Sequence, residues 1–293
     1  MNQQLTGVLF GLAAFVTWGF LPAYWKQLQP VAPFEILCHR IIWSCLFLFL
    51  IITFQKRWAE VVHIIGDSTN LIKLSCSGLL IGFNWFIYIW AVNTEHVVET
   101  SLGYYINPMV NVLIGFLLLG ERFNRLQLGA ILCALAGVIY SLVAYGDLPL
   151  FALTLAFSFS FYGYARKKID VAPIPGLLVE TSILVIPAIG YVVYRQIYAE
   201  TLFLSQIDTT LWLIGAGVAT SLPLLWFASA ARKLKLSTVG ILQYIAPTIA
   251  FTLGVFVYRE PFDWHNAITF GLIWLGVFIY CADSIICARH FSS

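Results

Sequence analysis

The chain has 293 residues, 60% of them hydrophobic and only 10% charged, with a formal net charge of +2. Soluble domains carry about 25% charged residues, and the mean hydropathy of +0.87 agrees that this is an integral membrane protein. The near-neutral charge gives no basis for nucleic-acid binding, and no long Pro/Ser/Gly linker divides the chain.

A membrane-spanning helix needs ~20 mostly apolar residues. Ten segments read as spans: roughly 5–25, 34–54, 71–93, 97–119, 126–144, 148–165, 176–195, 210–230, 236–258 and 265–286. The first follows Met1-Asn2-Gln3-Gln4, which lacks the basic region of a signal peptide, and no small-residue cleavage site succeeds it. It is therefore predicted to be a retained span. Gly7/Gly11 in the first span and Gly78/Gly82 in the third are Gly-xxx-Gly pairs suited to close helix approach. The six cysteines lie in or beside apolar segments without a CxxC pair and read as packing residues.

Ionisable groups in lipid are expensive and need a reason. His39 and Arg40 fall in the second span, Arg40 roughly 9 Å in at 1.5 Å per residue. Glu99 opens the fourth span and Glu180 lies in the seventh; Asp283 sits near the inner end of the last. Arg40 and Glu180 read either as the basic and acidic walls of a polar cavity or as structural ion-pair members. Pro108 and Pro247 fall near the middle of the fourth and ninth spans. Each lacks an N–H and clashes with the carbonyl four residues earlier, so both are candidate hinges. Non-helical backbone at membrane depth is tolerated where it lines a cavity. The predicted site therefore gathers His39, Arg40, Asn84, Trp85, Tyr88, Glu99, Tyr104, Tyr105, Asn107, Tyr162, Glu180, Gln243 and Tyr244. His96 and Glu99 lack the second histidine of a zinc motif, and there is no P-loop or GxSxG. No metal, cofactor or catalytic residue is expected; a proton is the candidate coupling ion.

The joints divide sharply by charge. One set holds eleven Lys and Arg residues, among them Lys56, Arg122, Arg166, Lys168, Arg232 and Lys235; the alternate set holds Lys26, Arg195 and Arg259. The positive-inside rule then places both termini in the cytoplasm.

The chain also repeats itself. Tyr105-Ile106-Asn107-Pro108 aligns with Tyr244-Ile245-Ala246-Pro247 at an offset of 139, and without a gap Gly115, Glu121, Phe123 and Gly137-Val138 meet Gly254, Glu260, Phe262 and Gly276-Val277. Val31-Ala32-Pro33 meets Val171-Ala172-Pro173 at offset 140. Five spans per copy turn the second copy upside down, the arrangement of many secondary transporters. The expected fold is an all-α membrane protein of ten transmembrane helices in two inverted five-helix repeats, 1–145 and 146–293.

Leu118-Leu119-Gly120-Glu121-Arg122-Phe123, with Leu135-Ala136-Gly137-Val138 and Thr17-Trp18-Gly19-Phe20, resembles the EamA module of the drug/metabolite transporter superfamily. Glu35-Ile36-Leu37-Cys38-His39-Arg40, Ser101-Leu102-Gly103-Tyr104-Tyr105-Ile106-Asn107-Pro108 and Arg166-Lys167-Lys168-Ile169 are similar to the RarD, or chloramphenicol-sensitivity, permeases. The resemblance implies a bacterial inner-membrane permease with a central cavity, moving a small metabolite or drug, with efflux favoured over uptake. It assigns no substrate and no residue roles. An intramembrane enzyme would need a nucleophile or metal cluster that is not evident, and a channel would need unsaturable flux. Glu121 and Glu260 sit at helix ends and read as structural.

Overall fold

The computed structural model describes residues 3–290 apart from 95, 147, 200 and 258–263, with backbone alone at 92–93, 97–99, 101, 254, 266 and 284–290. Glu260 and the side chain of Glu99 therefore lie outside the described residues.

The described residues form helices joined by short turns: α1 (Gln3–Trp25), α2 (Pro33–Phe54), α3 (Trp58–Gly66), α4 (Ser68–Asn93), α5 (Val97–Leu119), α6 (Arg125–Tyr145), α7 (Leu150–Lys168), α8 (Pro173–Tyr198), α9 (Ile207–Lys233), α10 (Leu236–Gln243), α11 (Ile245–Thr252) and α12 (Trp264–His290). Eight of the helical runs are long and apolar enough to cross a membrane; a shorter apolar run covers Ala267–Asp283. The predicted sixth span, α7, is not among the eight because Ser158, Ser160, Tyr162, Arg166, Lys167 and Lys168 lower its hydropathy.

Local chemistry fixes the ends. The two Val-Ala-Pro motifs start α2 and α8 alike. A residue before proline is pushed to extended backbone, and proline is pre-set for the first helical position. Ala32 has φ −57° and ψ 133°, and Ala172 has φ −57° and ψ 145°. Gly120, at φ 64°, ends α5 in the left-handed region that glycine enters without a Cβ penalty. Asn124 and Gln127 form a reciprocal capping box on α6. The amphipathic α3, buried through Val61 and Ile64, lies within a predicted joint.

Helix packing follows a pattern. The main contacts are α1 with α9, α2 with α9, α5 with α7, α4 with α7 and α8, and α1 with α10 and α11; α2 packs on α8, α5 on α10 and α6 on α12. Advancing every helix by the sequence offset exchanges α1 with α7, α2 with α8, α4 with α9, α5 with α10–α11, and α6 with α12. Those contacts return as the same set; the lesser α7–α9 contact is an exception, with no comparable α1–α4 contact among the described residues. Small residues permit the closest crossings. A Cβ added at Gly137 would lie 2.9 Å from the Thr269 carbonyl oxygen, and one at Gly276 would lie 2.6 Å from that of Ala130. These matched glycines face each other's helices across the α6–α12 contact. Gly7, Gly11, Gly78 and Gly82 likewise sit against Leu234, Leu242, Glu180 and Leu184.

The two prolines behave differently. α5 runs through Pro108 as one helix. In the second copy the helix breaks at Tyr244, whose N–H reaches Ile241 at 3.3 Å, and after α11 it relaxes into a π turn over Leu253–Val257.

Candidate functional site

Arg40 projects from the second turn of α2. Its Nε donates to Thr220 Oγ1 of α9 at 3.0 Å. Its guanidinium carbon lies 4.8 Å from the Trp25 ring centroid and 5.2 Å from that of Trp85, both within cation–π range. The Tyr88 and Tyr104 hydroxyls lie near enough to Arg40 to interact with its charge. Among the described residues no carboxylate pairs with Arg40. Tyr104 is 50% exposed. Arg40, Trp85, Tyr88 and Tyr104 of the predicted set thus meet in one pocket, joined by Trp25 and Thr220.

Other predicted residues are placed elsewhere. Asn107 Nδ2 donates to the Ala156 carbonyl at 2.8 Å, and Asn111 Nδ2 donates to Asn107 Oδ1 at 3.3 Å and to Gln243 Oε1 at 2.9 Å. The Tyr244 hydroxyl donates to the Tyr105 carbonyl at 3.2 Å. Asn107, Asn111, Gln243 and Tyr244 are all buried. They form a buried polar seam where α5 crosses α10, and Gly240 lets α10 approach the Pro108 carbonyl. Asn84 Nδ2 ties α4 to α7 through the Leu155 carbonyl and Ser158 Oγ, each at 2.9 Å. His39 points away from the Arg40 pocket. It is buried, its Nδ1 accepts from Trp43 Nε1 at 3.2 Å, and its ring lies 4.4 Å from Phe203. With Nδ1 accepting, the neutral ring carries its proton on Nε2.

Glu180 does not face Arg40. It pairs with Arg166 of α7 at 3.2 Å, with both side chains 1% exposed, and its Oε2 accepts from the Tyr162 hydroxyl at 3.4 Å. Of the two readings open from sequence, the ion-pair geometry is the one Glu180 adopts here. A second pair, Arg195 with Glu35 at 3.3 Å, joins α8 to α2 near the opposite end of the bundle.

The end bearing the basic joints is closely tied. Glu121 accepts from the Leu236 N–H at 2.6 Å, the Ser237 N–H at 3.0 Å and Ser237 Oγ at 2.5 Å, capping α10. Lys167 Nζ donates to carbonyls at and just beyond the end of α9, at Ala231 (3.2 Å) and Leu234. Arg232 donates to the Val171 carbonyl at 2.5 Å and pairs with Asp170 at 2.7 Å. Asp283 accepts from Asn124 and Gln127, fastening α12 to α6. The structural role expected of Glu121 is thus visible in its bonds.

Sequence reasoning passed over Trp25, Thr220, Asn111 and Arg166. Trp25 stood at a span end where tryptophan is ordinary, and Arg166 stood in a basic joint. Asn111, one helical turn beyond Asn107, carried a readable signal; Thr220 carried none. Two surface clefts lie outside the pocket. One, of about 300 Å³, is apolar between Phe34, Phe86, Ile89 and Trp90; the other, of about 360 Å³, lies between α3 and the start of α8.

The geometry can be set beside known proteins. A model of the EamA-like transporter family matches the chain twice, over residues 5–143 and 148–281. Protein RarD of Escherichia coli K12 is 42% identical over 293 residues, with 99% of each chain covered. Protein RarD of Salmonella typhi is 42% identical over 290 residues, with 98% of each covered. The uncharacterized transporter YojE of Bacillus subtilis is 43% identical over 282 residues, covering 95% of this chain and 94% of that one. A crystal structure of a protein 19% identical superposes with a TM-score of 0.73, covering 94% of this chain and 97% of the other, which shows a common fold. On the twofold match and the full-length relatives, the chain belongs to the EamA-like transporter family.

Proposed function

We propose that the chain is a secondary active permease that exports a small metabolite or drug-like molecule across the bacterial inner membrane by alternating access. It is built as ten crossings in two inverted repeats, 1–145 and 146–293, with both termini cytoplasmic. The observation that carries this reading is the return of the main helix contacts when the two halves are exchanged, around the cluster at Arg40. Two inverted halves that pack equivalently can trade conformations and so move the opening from one side to the other. The double match of the family model supports the repeat boundaries. The excess of Lys and Arg in alternate joints supports the orientation. Export over uptake rests on resemblance to drug-associated permeases. The proposed coupling ion is a proton, taken up at Glu180 when its bond to Arg166 opens.

The test is accessibility. Tyr104→Cys in a background without the six native cysteines is exposed to a membrane-impermeant maleimide in right-side-out and inverted vesicles. Alternating access expects labelling from both sides. Labelling from one side alone, or unitary conductance steps in a planar bilayer, would overturn it.

A further inference from the structure

We propose that the Arg40 pocket takes organic anions bearing a carboxylate or phosphonate on a flat apolar body, an assignment that rests on the permease reading only for the route by which such a molecule arrives. The guanidinium is held on three sides. The Trp25 ring from α1 and the Trp85 ring from α4 lie at 4.8 and 5.2 Å, and Thr220 Oγ1 from α9 accepts from Nε at 3.0 Å. A guanidinium has five N–H donors in a rigid fork. Here only the Nε edge meets a described protein acceptor.

The other edge, Nη1 and Nη2, makes no described protein hydrogen bond and is not sealed from solvent, unlike the buried orphan nitrogens of Arg166. That edge is the one that binds carboxylate or phosphate through two parallel hydrogen bonds. Three helices thus fix the charge in position and leave its recognition edge free.

The rest of the wall selects the body of the molecule. The half-exposed Tyr104 ring offers an aromatic face, and the Tyr88 and Tyr104 hydroxyls add polar groups beside Arg40. Two turns along α1 from Trp25, Trp18 packs with Phe15, Phe159 and Phe227 at centroid distances of 5.6, 5.7 and 5.7 Å. Offset and edge-on aromatic contacts favour flat apolar groups. A cation is disfavoured beside an uncompensated guanidinium, and a neutral amide forgoes the charge-assisted pair.

The experiment is a thermal-shift and calorimetric titration of the purified full chain in neutral detergent. The probes are indole-3-acetate, benzoate and benzylphosphonate, against indole-3-acetamide and benzylamine. Stabilisation by the anions alone is expected. Arg40→Gln should weaken their binding roughly 10–100-fold, the loss of a charge-assisted bond. Thr220→Val, which frees the Nε edge without removing charge, should weaken it less, and each variant's apo melting temperature reports whether it is folded. Equal stabilisation by the amide, or unchanged anion binding in folded Arg40→Gln, would overturn the assignment.

Short-chain phosphatidylglycerol separates a lipid headgroup from a soluble anion. Stabilisation by that lipid but by none of the carboxylates would overturn a soluble substrate. Should the Tyr104→Cys labelling fail while the anions still bind, the permease reading falls and the site stands. Should labelling succeed while no anion binds, the reverse holds.

Discussion

Replacing Arg166 by Met and Glu180 by Leu, singly and together, tests what the buried ion pair does. The pair is badly made for stability. Its single contact is 3.2 Å rather than a bidentate fork, and Arg166 Nε and Nη2 are buried without a partner. Gly176 makes room for the guanidinium; a Cβ there would lie 2.7 Å from Nη1. Burying two ions costs several kcal/mol each, which one long contact does not offset. Either single replacement leaves a lone charge with both side chains 1% exposed, so each should destabilise by ~3–5 kcal/mol. The double replacement removes both charges and should be neutral or stabilising by ~1–4 kcal/mol. The cycle is read from apparent melting temperatures in detergent, with strong non-additivity as the expected signature. The same double variant, reconstituted in vesicles, should lose transport, because an apolar plug in place of a separable pair holds that end shut. A double variant destabilised by the sum of the singles would refute the argument, since the pair would then be a net stabiliser.

Glu121→Ala should destabilise by at least ~2 kcal/mol, because the Leu236 and Ser237 N–H groups that it caps become orphans. Glu121→Gln should recover part of that, as its amide oxygen still accepts, and an unchanged melting temperature in Glu121→Ala would dismiss the cap. Gly276→Val should collapse the α6–α12 contact, since its Cβ would meet the Ala130 carbonyl at 2.6 Å, whereas Gly271→Ala, with nothing within 4 Å of its added Cβ, should be silent. Size-exclusion profiles of the two variants decide this, and a monodisperse Gly276→Val would count against the packing.

The helices were legible because apolar runs and their punctuation are local. Val-Ala-Pro marks a helix start from backbone sterics alone, and both copies obey it. The amphipathic α3 escaped because its nine residues are too short to read as a span, although Val61 and Ile64 stand at helical spacing. Pro247 announced a break, but where the backbone gave way, at Tyr244, and the π turn beyond it depend on packing. In the site, Arg40 was legible because an arginine in a span demands a reason. Its Thr220 partner lies 180 residues away, and nothing local marks a threonine as a partner. Glu180 was legible as an intramembrane charge, but its pairing was not: Arg166 reads as one more basic residue in a joint until the fold brings it onto α8.

The halves pack alike but carry opposite chemistry, and that difference bears on the proposed cycle. Offset 140 sets Arg40 against Glu180. Here Arg40 is half-buried, with no described hydrogen bond from its Nη edge, while Glu180 is paired with Arg166 and 0% exposed. The proline helices differ in the same sense: α5 passes intact through Pro108 and buries it, whereas α11 has no buried residue and is flanked by a break and a π turn. If the halves trade conformations, as inverted repeats allow, Glu180 takes the open environment and Arg40 the closed one. The pocket then changes sign. An anion held by Arg40 in this state would face a freed carboxylate in the other, and repulsion would drive its release. Water reaching Glu180 in that state would also let it exchange a proton, which it cannot do while sealed against Arg166. Anion release and proton exchange would then share one conformational step, with the opposite charges at equivalent positions supplying the coupling.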